Sequence, residues 1–168
     1  MRRMSRLMME TQVTEISRMR RAWVDRLSEF PFSHAVTLGT NHKTWSYEVM
    51  RQKLKEWDAR VNRELNGPLW TKRPDERLVW IAFPEKLHVN PHWHMLVSVD
   101  RDVGTGRRAS AYAHLTATVE RIWIDLVPSG TAECKALDSG PWPWYITKEF
   151  QQHGRYDQFI LSREFQSI

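Results

Sequence analysis

Apolar residues recur across residues 4–30 at mixed three- and four-residue steps, among them Ile16, Trp23, Val24 and Leu27, with arginines between them. That spacing predicts an amphipathic helix. Pro31 and Phe32 end it, and residues 33–40 (SHAVTLGT) read as a short strand running into a polar turn. Ser46 is placed to cap a second helix, whose apolar positions Val49, Met50, Leu54, Trp57, Val61 and Leu65 keep helical spacing until Asn66-Gly67-Pro68 stops it. Two β-rich runs follow, residues 78–83 (LVWIAF) and 92–99 (HWHMLVSV), and their pairing predicts an antiparallel hairpin at the centre of the protein. Residues 101–108, with two glycines and three arginines, read as a basic loop before a helix lined by Leu115, Val119, Ile122, Trp123 and Leu126. Residues 131–137 suit one more strand, and Asp138-Ser139-Gly140-Pro141 offers a cap and a helix-start proline for a last helix through about residue 150. The tail from residue 154 carries a weaker strand pattern. The order α-β-α-β-β-α-β-α predicts an α+β fold, an antiparallel sheet with helices packed on it.

Length adds one constraint. At 168 residues the chain can build one sizeable core, so a single domain over residues 1–168 with its N-terminal helix at about 4–30 is expected. No apolar run approaches the ~18 residues of a membrane span, and the basic start lacks the apolar segment of an export signal, which predicts an intracellular protein without a membrane partner. The expected compartment is the cytoplasm, or the nucleus in a eukaryotic host. Cys134 is the only cysteine, which excludes an internal disulfide and a thiolate metal cluster. The net charge of +5 suggests a polyanionic partner. Nine tryptophans exceed what one small core needs, although each taken singly is better read as packing, and aromatic faces beside Arg and Lys suit stacking on unpaired bases.

The candidate chemistry concentrates in two segments. In Pro91-His92-Trp93-His94 the two-residue period of a strand puts His92 and His94 on one face and Trp93 on the other. Two imidazoles on one rigid strand make half a metal site. Glu85, at the far end of the preceding strand, can be folded back toward them by the hairpin, and His88 is the competing third ligand. Two imidazoles and one carboxylate leave positions open on the ion, which suits catalytic Mn²⁺ or Mg²⁺ acting on a phosphate oxygen, and zinc is also able to occupy such a triad. The second segment is Tyr145-Ile146-Thr147-Lys148, where three-residue spacing on a helix brings the phenol and the ammonium to one face as a nucleophile and its charge partner.

His92-Trp93-His94 followed some fifty residues later by Tyr145-x-x-Lys148, with Val36-Thr37-Leu38-Gly39-Thr40 ahead of them, resembles the HUH endonuclease superfamily, specifically its single-tyrosine rolling-circle replication initiators. The resemblance spans residues 33–150. It implies a ferredoxin-like or RRM-like sheet carrying the metal, held by the paired histidines and an acidic or polar third residue. It also implies Tyr145 as the nucleophile that nicks single-stranded DNA, leaving a 5′-phosphotyrosyl enzyme and a free 3′-hydroxyl, with Lys148 near the active site and strand rejoining available. Tyr156 does not fit a two-tyrosine spacing, and no GxxxxGK[ST] phosphate loop is present, so a separate helicase is an expected partner beside the origin DNA, single-stranded or hairpin. Arg101, Arg107 and Arg108 are the expected DNA-contacting residues.

Relaxases and transposases of the same superfamily share this chemistry. A non-catalytic single-stranded nucleic-acid module on an RRM-like sheet accounts for the charge and the tryptophans as well, but not for the His pair and the Tyr/Lys pair occurring together. A metal-free phosphoesterase with two His-x-Thr/Ser motifs finds only His114-Leu115-Thr116, within an expected helix.

Overall fold

A computed structural model describes residues 2–42, 45–99, 112–138, 140–148 and 158–165, with side chains from residue 15 onward. The chain packs as two compact units, Met1–Pro31 with Ser139–Gln158, and Phe32–Asp138 with Phe159–Ile168. None of the described helices is long and apolar enough to cross a membrane.

The larger unit is α+β. It contains β1 (His34–Gly39), α2 (Tyr47–Asn66), β2 (Val79–Glu85), β3 (His92–Ser98), α3 (Leu115–Leu126), β4 (Thr131–Ala136) and β5 (Ile160–Leu161). Short 3-10 turns at Trp70–Lys72, Pro74–Glu76 and Ser162–Phe165 complete it. The five strands form one antiparallel sheet in the order β4-β1-β3-β2-β5, so β3 is central and β1 and β2 flank it.

Both ends of α2 follow from local chemistry. The Ser46 hydroxyl accepts a hydrogen bond from the Val49 N–H at 3.3 Å, satisfying one of the donors that a helix start leaves open. Gly67 ends the helix at φ +83°, a left-handed value that favours glycine, and its N–H donates to the Arg63 carbonyl at 2.9 Å.

Alternation along the strands separates two faces. Val36, Leu38, Trp80, Ala82, Trp93, Met95, Val97 and Cys134 pack against Met50, Leu54, Trp57 and Val61 of α2 and Val119, Ile122 and Trp123 of α3. Ala35, Ile81, Phe83, Glu85, His94 and Leu96 lie on the other face and are also buried. Trp57, Trp80, Trp93 and Trp123 are fully buried, so four of the nine indoles serve packing. Three of them also tie elements together through the indole N–H: Trp57 donates to the Val119 carbonyl, Trp123 to the Gly39 carbonyl and Trp80 to the Asp58 carboxylate.

Two elements differ in extent from their sequence patterns. β2 continues beyond the apolar run 78–83, through Pro84 to Glu85. β5 pairs only with Ile81 and Ala82, so the end of β2 is an edge, where a proline without an N–H is tolerated. The last helix, α4, is a single turn over Trp142–Ile146 that opens at Pro141 without a side-chain cap, shorter than the expected run to about residue 150. Thr147 and Lys148 form the turn after it.

In the smaller unit α1 (Arg2–Glu29) meets α4. Arg20 lies on the same helical stripe as Ile16, Trp23, Val24 and Leu27. Its Nη2 donates to the Trp144 carbonyl at 2.7 Å and its Nε to the Thr147 hydroxyl at 3.4 Å, while the guanidinium carbon lies 4.9 Å from the centre of the Trp144 ring. A cation at the C-terminal end of a one-turn helix compensates carbonyls that the helix itself leaves unpaired.

A buried polar network joins α2 to β2. The Asp58 carboxylate accepts from Trp80 Nε1 at 2.7 Å and from Asn62 Nδ2 at 3.0 Å, and Asn62 Oδ1 accepts from the Leu78 N–H at 2.8 Å. Burial pushes the Asp58 carboxyl up to about 6, against the opposing pull of the Trp80 hydrogen bond, the Arg77 charge and the Asn62 hydrogen bond. A carboxyl raised on folding favours the folded state while protonated, so this contribution is complete below about pH 3.8 and is lost as pH rises through about 6. Asp58→Asn keeps the acceptor for Trp80 without the charge. It should raise stability above about pH 7 by roughly 1–3 kcal/mol and flatten the slope between about pH 4 and 7, as read from urea midpoints across pH.

Candidate metal centre

Register brings the triad together. Glu85 is the cross-strand partner of His92 in the β2–β3 ladder, and His94 pairs with Phe83 on one side and Thr37 on the other. Because β-strand side chains alternate, Glu85, His92, His94 and Thr37 share one face at the end of the central strand. One ligand atom from each of Glu85, His92 and His94 falls within 4.8 Å of the others. Glu85 Oε2 lies 2.6 Å from His94 Nε2 and 3.5 Å from His92 Nε2, with Lys86 Nζ 3.8 Å from Oε1. The imidazole rings stand nearly perpendicular, their centres 4.8 Å apart.

Both rings are oriented from behind. His92 Nδ1 is 2.8 Å from the Asn90 carbonyl oxygen, which can only accept, so Nδ1 carries a proton and Nε2 faces Glu85. His94 Nδ1 is 3.1 Å from the Thr37 hydroxyl, which can donate or accept and so holds the ring in place without fixing its tautomer. The first strand motif also anchors the start of β3: the buried Thr40 donates through its N–H and its hydroxyl to the Pro91 carbonyl, at 3.1 and 3.0 Å. Such outer contacts fix ring orientation and raise ligand basicity.

The donor set fits a divalent cation. The Glu85 side chain is 3% exposed, and a carboxylate that deep is stabilised by positive charge, which Lys86 supplies at one oxygen and an ion facing the other oxygen and the two Nε2 atoms would add. Two imidazoles and a carboxylate accept several first-row ions, and three protein ligands leave coordination positions for water or a phosphate oxygen.

Of the two third ligands weighed from sequence, the structure gathers Glu85. His88 lies exposed in the connection between β2 and β3, and the described residues form no other such cluster. Thr37 enters the sequence reading only as part of the first strand motif, without a role, and Asn90 not at all, because their roles depend on strand pairing and loop geometry. Arg101, Arg107 and Arg108 lie outside the described residues.

Tyr145 and Lys148 belong to the smaller unit. Their spacing does bring them together, with Lys148 Nζ 4.2 Å from the centre of the Tyr145 ring, so the ammonium contacts the π face. Trp142 packs edge-on against Tyr145 with ring centres 6.1 Å apart. The Tyr145 side chain is accessible, at 46% exposure. His114 and Thr116 are exposed around the start of α3.

No protein-family model, curated protein or solved structure matches the chain.

Titration with Mn²⁺ followed by calorimetry or electron paramagnetic resonance should give one site. His94→Ala and Glu85→Gln should abolish it, and His88→Ala should leave it intact. Thr37→Val removes only the contact behind His94 and should weaken the ion about 10- to 100-fold. An unchanged affinity in Glu85→Gln would remove the carboxylate from the site.

Proposed function

We propose that this protein is a metal-dependent nickase of single-stranded DNA of the HUH type, acting as a replication initiator. The observation that carries the reading is the convergence of Glu85, His92 and His94 on one face of the central strand, with both Nδ1 atoms held from behind. The β-α-β-β-α-β succession from β1 to β4, with strand order β4-β1-β3-β2, supports an RRM-like or ferredoxin-like sheet for such a site.

Glu85, His92 and His94 would hold Mn²⁺ or Mg²⁺. Bound there, the cation supplies Lewis acidity to a phosphate oxygen. The Tyr145 hydroxyl gives up its proton to solvent and its oxygen attacks the scissile phosphorus. The bond from phosphorus to the 3′-oxygen breaks, and that oxygen takes up a proton to leave a 3′-hydroxyl that can prime synthesis. The 5′-phosphate stays on Tyr145, so the phosphodiester energy is conserved and rejoining needs no nucleotide cofactor. The Lys148 ammonium beside the ring favours the phenolate and the developing phosphate charge. Origin DNA, single-stranded or hairpin, is the substrate in this reading, and a separate helicase opens the duplex.

Incubation with Mn²⁺ and a pool of random-sequence single-stranded oligonucleotides should give a protein–DNA adduct that survives denaturation. Tyr145→Phe, which keeps the ring, should give none, as should His92→Ala. Lys148→Ala should slow adduct formation roughly a hundredfold. Cleavage without an adduct would overturn the tyrosine mechanism in favour of hydrolysis by metal-bound water. Binding without cleavage in every metal tried would leave a nucleic-acid-binding module.

A further inference from the structure

Trp144 is 42% exposed in a protein that buries four other indoles completely. Its placement is not loose. Arg20 covers the ring with its guanidinium and fixes the same residue's backbone through the Trp144 carbonyl. Thr147, fully buried, locks the turn that follows by donating its hydroxyl to the Pro143 carbonyl at 2.7 Å. The cost of ordering a large exposed side chain is therefore met within the folded chain, leaving a rigid aromatic surface in water. Arg21, next to Arg20 in the sequence, is exposed on α1, and Lys148 follows the indole four residues on, so these cations favour polyanions.

From this we infer that Trp144, backed by Arg20, is a stacking platform for an unpaired base of a single-stranded nucleic acid. A base has an aromatic face for the indole, and its phosphates are attracted by the arginines and the lysine. A rigid ring with a cation behind it offers both without discriminating among bases. Trp144 directly precedes Tyr145, so the stacked base would belong to a nucleotide close to the bond that is cut. That last placement rests on the proposed role of Tyr145, whereas the stacking itself does not.

The test measures binding of a fluorescein-labelled oligothymidylate and of an abasic oligonucleotide of equal length to the full chain by anisotropy. A chelator is present, so no chemistry intervenes. The abasic strand keeps the phosphates and lacks the bases. Wild type should prefer the thymidylate. Trp144→Ala and Trp144→Leu should each weaken thymidylate binding about 5- to 150-fold and leave abasic binding unchanged, and Trp144→Phe should retain most of the preference. Equal loss on both strands in Trp144→Ala, or no loss on either, would overturn the platform. Adduct formation in the metal-containing assay reports separately on the nickase reading. A Trp144-dependent base preference without any adduct would keep the platform and discard the nickase, and an adduct with no such preference would do the reverse. Wild type that binds neither strand would discard the platform, whatever the adduct assay gives.

Discussion

The pairing of Glu85 with His92 across the β2–β3 ladder is the constraint on which the candidate site depends. The side-chain period of a strand is two, so a slip of one residue would turn His92 and His94 toward the helices and put Trp93 and Met95 on the site face. What prevents the slip lies on the opposite side of the sheet. Trp80, Ala82, Trp93, Met95 and Val97 are buried against α2 and α3, and full burial of each large apolar side chain is worth ~1.5–3 kcal/mol. A slip would forfeit several such terms at once. The core face thereby holds in place a polar cluster whose own desolvation opposes folding.

Orientation within the triad is a second level of control, and it comes from β1 and from the connection preceding β3. A strand fixes where a histidine is attached but leaves its ring free to rotate about two torsions. The Thr37 hydroxyl and the Asn90 carbonyl remove that freedom, and Thr40 ties the end of β1 to Pro91, one residue before His92. Gly130 permits the adjoining chain to come close: a Cβ there would lie 2.6 Å from the Gly39 carbonyl oxygen and 3.0 Å from Trp123 Nε1. Close packing at this end of the sheet therefore bears on the geometry of the ligands, since a metal site tolerates little displacement of its donors.

Local signals in the sequence were enough to place α2, the β2–β3 hairpin and the His pair. Ser46 and Gly67 act within a few residues of themselves, and alternation in HWHMLVSV needs no knowledge of neighbours. The apolar run alone stops at Phe83, because whether Pro84 is tolerable within the strand depends on how far β5 extends along the other edge. The role of Thr37 was hidden for a similar reason. It becomes apparent only when β1 is known to pair with β3, 57 residues away, in one particular register. The length of α4 escaped because Pro141 and Pro143 fit a helix start but do not say how far the helix continues.

Arg20 follows a different logic from the rest of its stripe. Four apolar neighbours on a helix face would ordinarily be joined by a fifth, and a guanidinium there carries a desolvation cost, seen in the lowering of its pKa by burial. That cost is offset only if the group finds acceptors, and α4 supplies them in the Trp144 carbonyl and the Thr147 hydroxyl. A helix of five residues gains little from its own hydrogen bonds, since nucleation consumes most of what one turn returns. The conformation of Trp142–Ile146, and with it the setting of Tyr145, therefore depends on tertiary contacts, among them the hydrogen bonds of the arginine from α1. An aliphatic residue at position 20 would add apolar burial to α1 but would leave the end of α4 without its charged donor, so the polar interruption in the stripe is what links the long helix to the tyrosine turn.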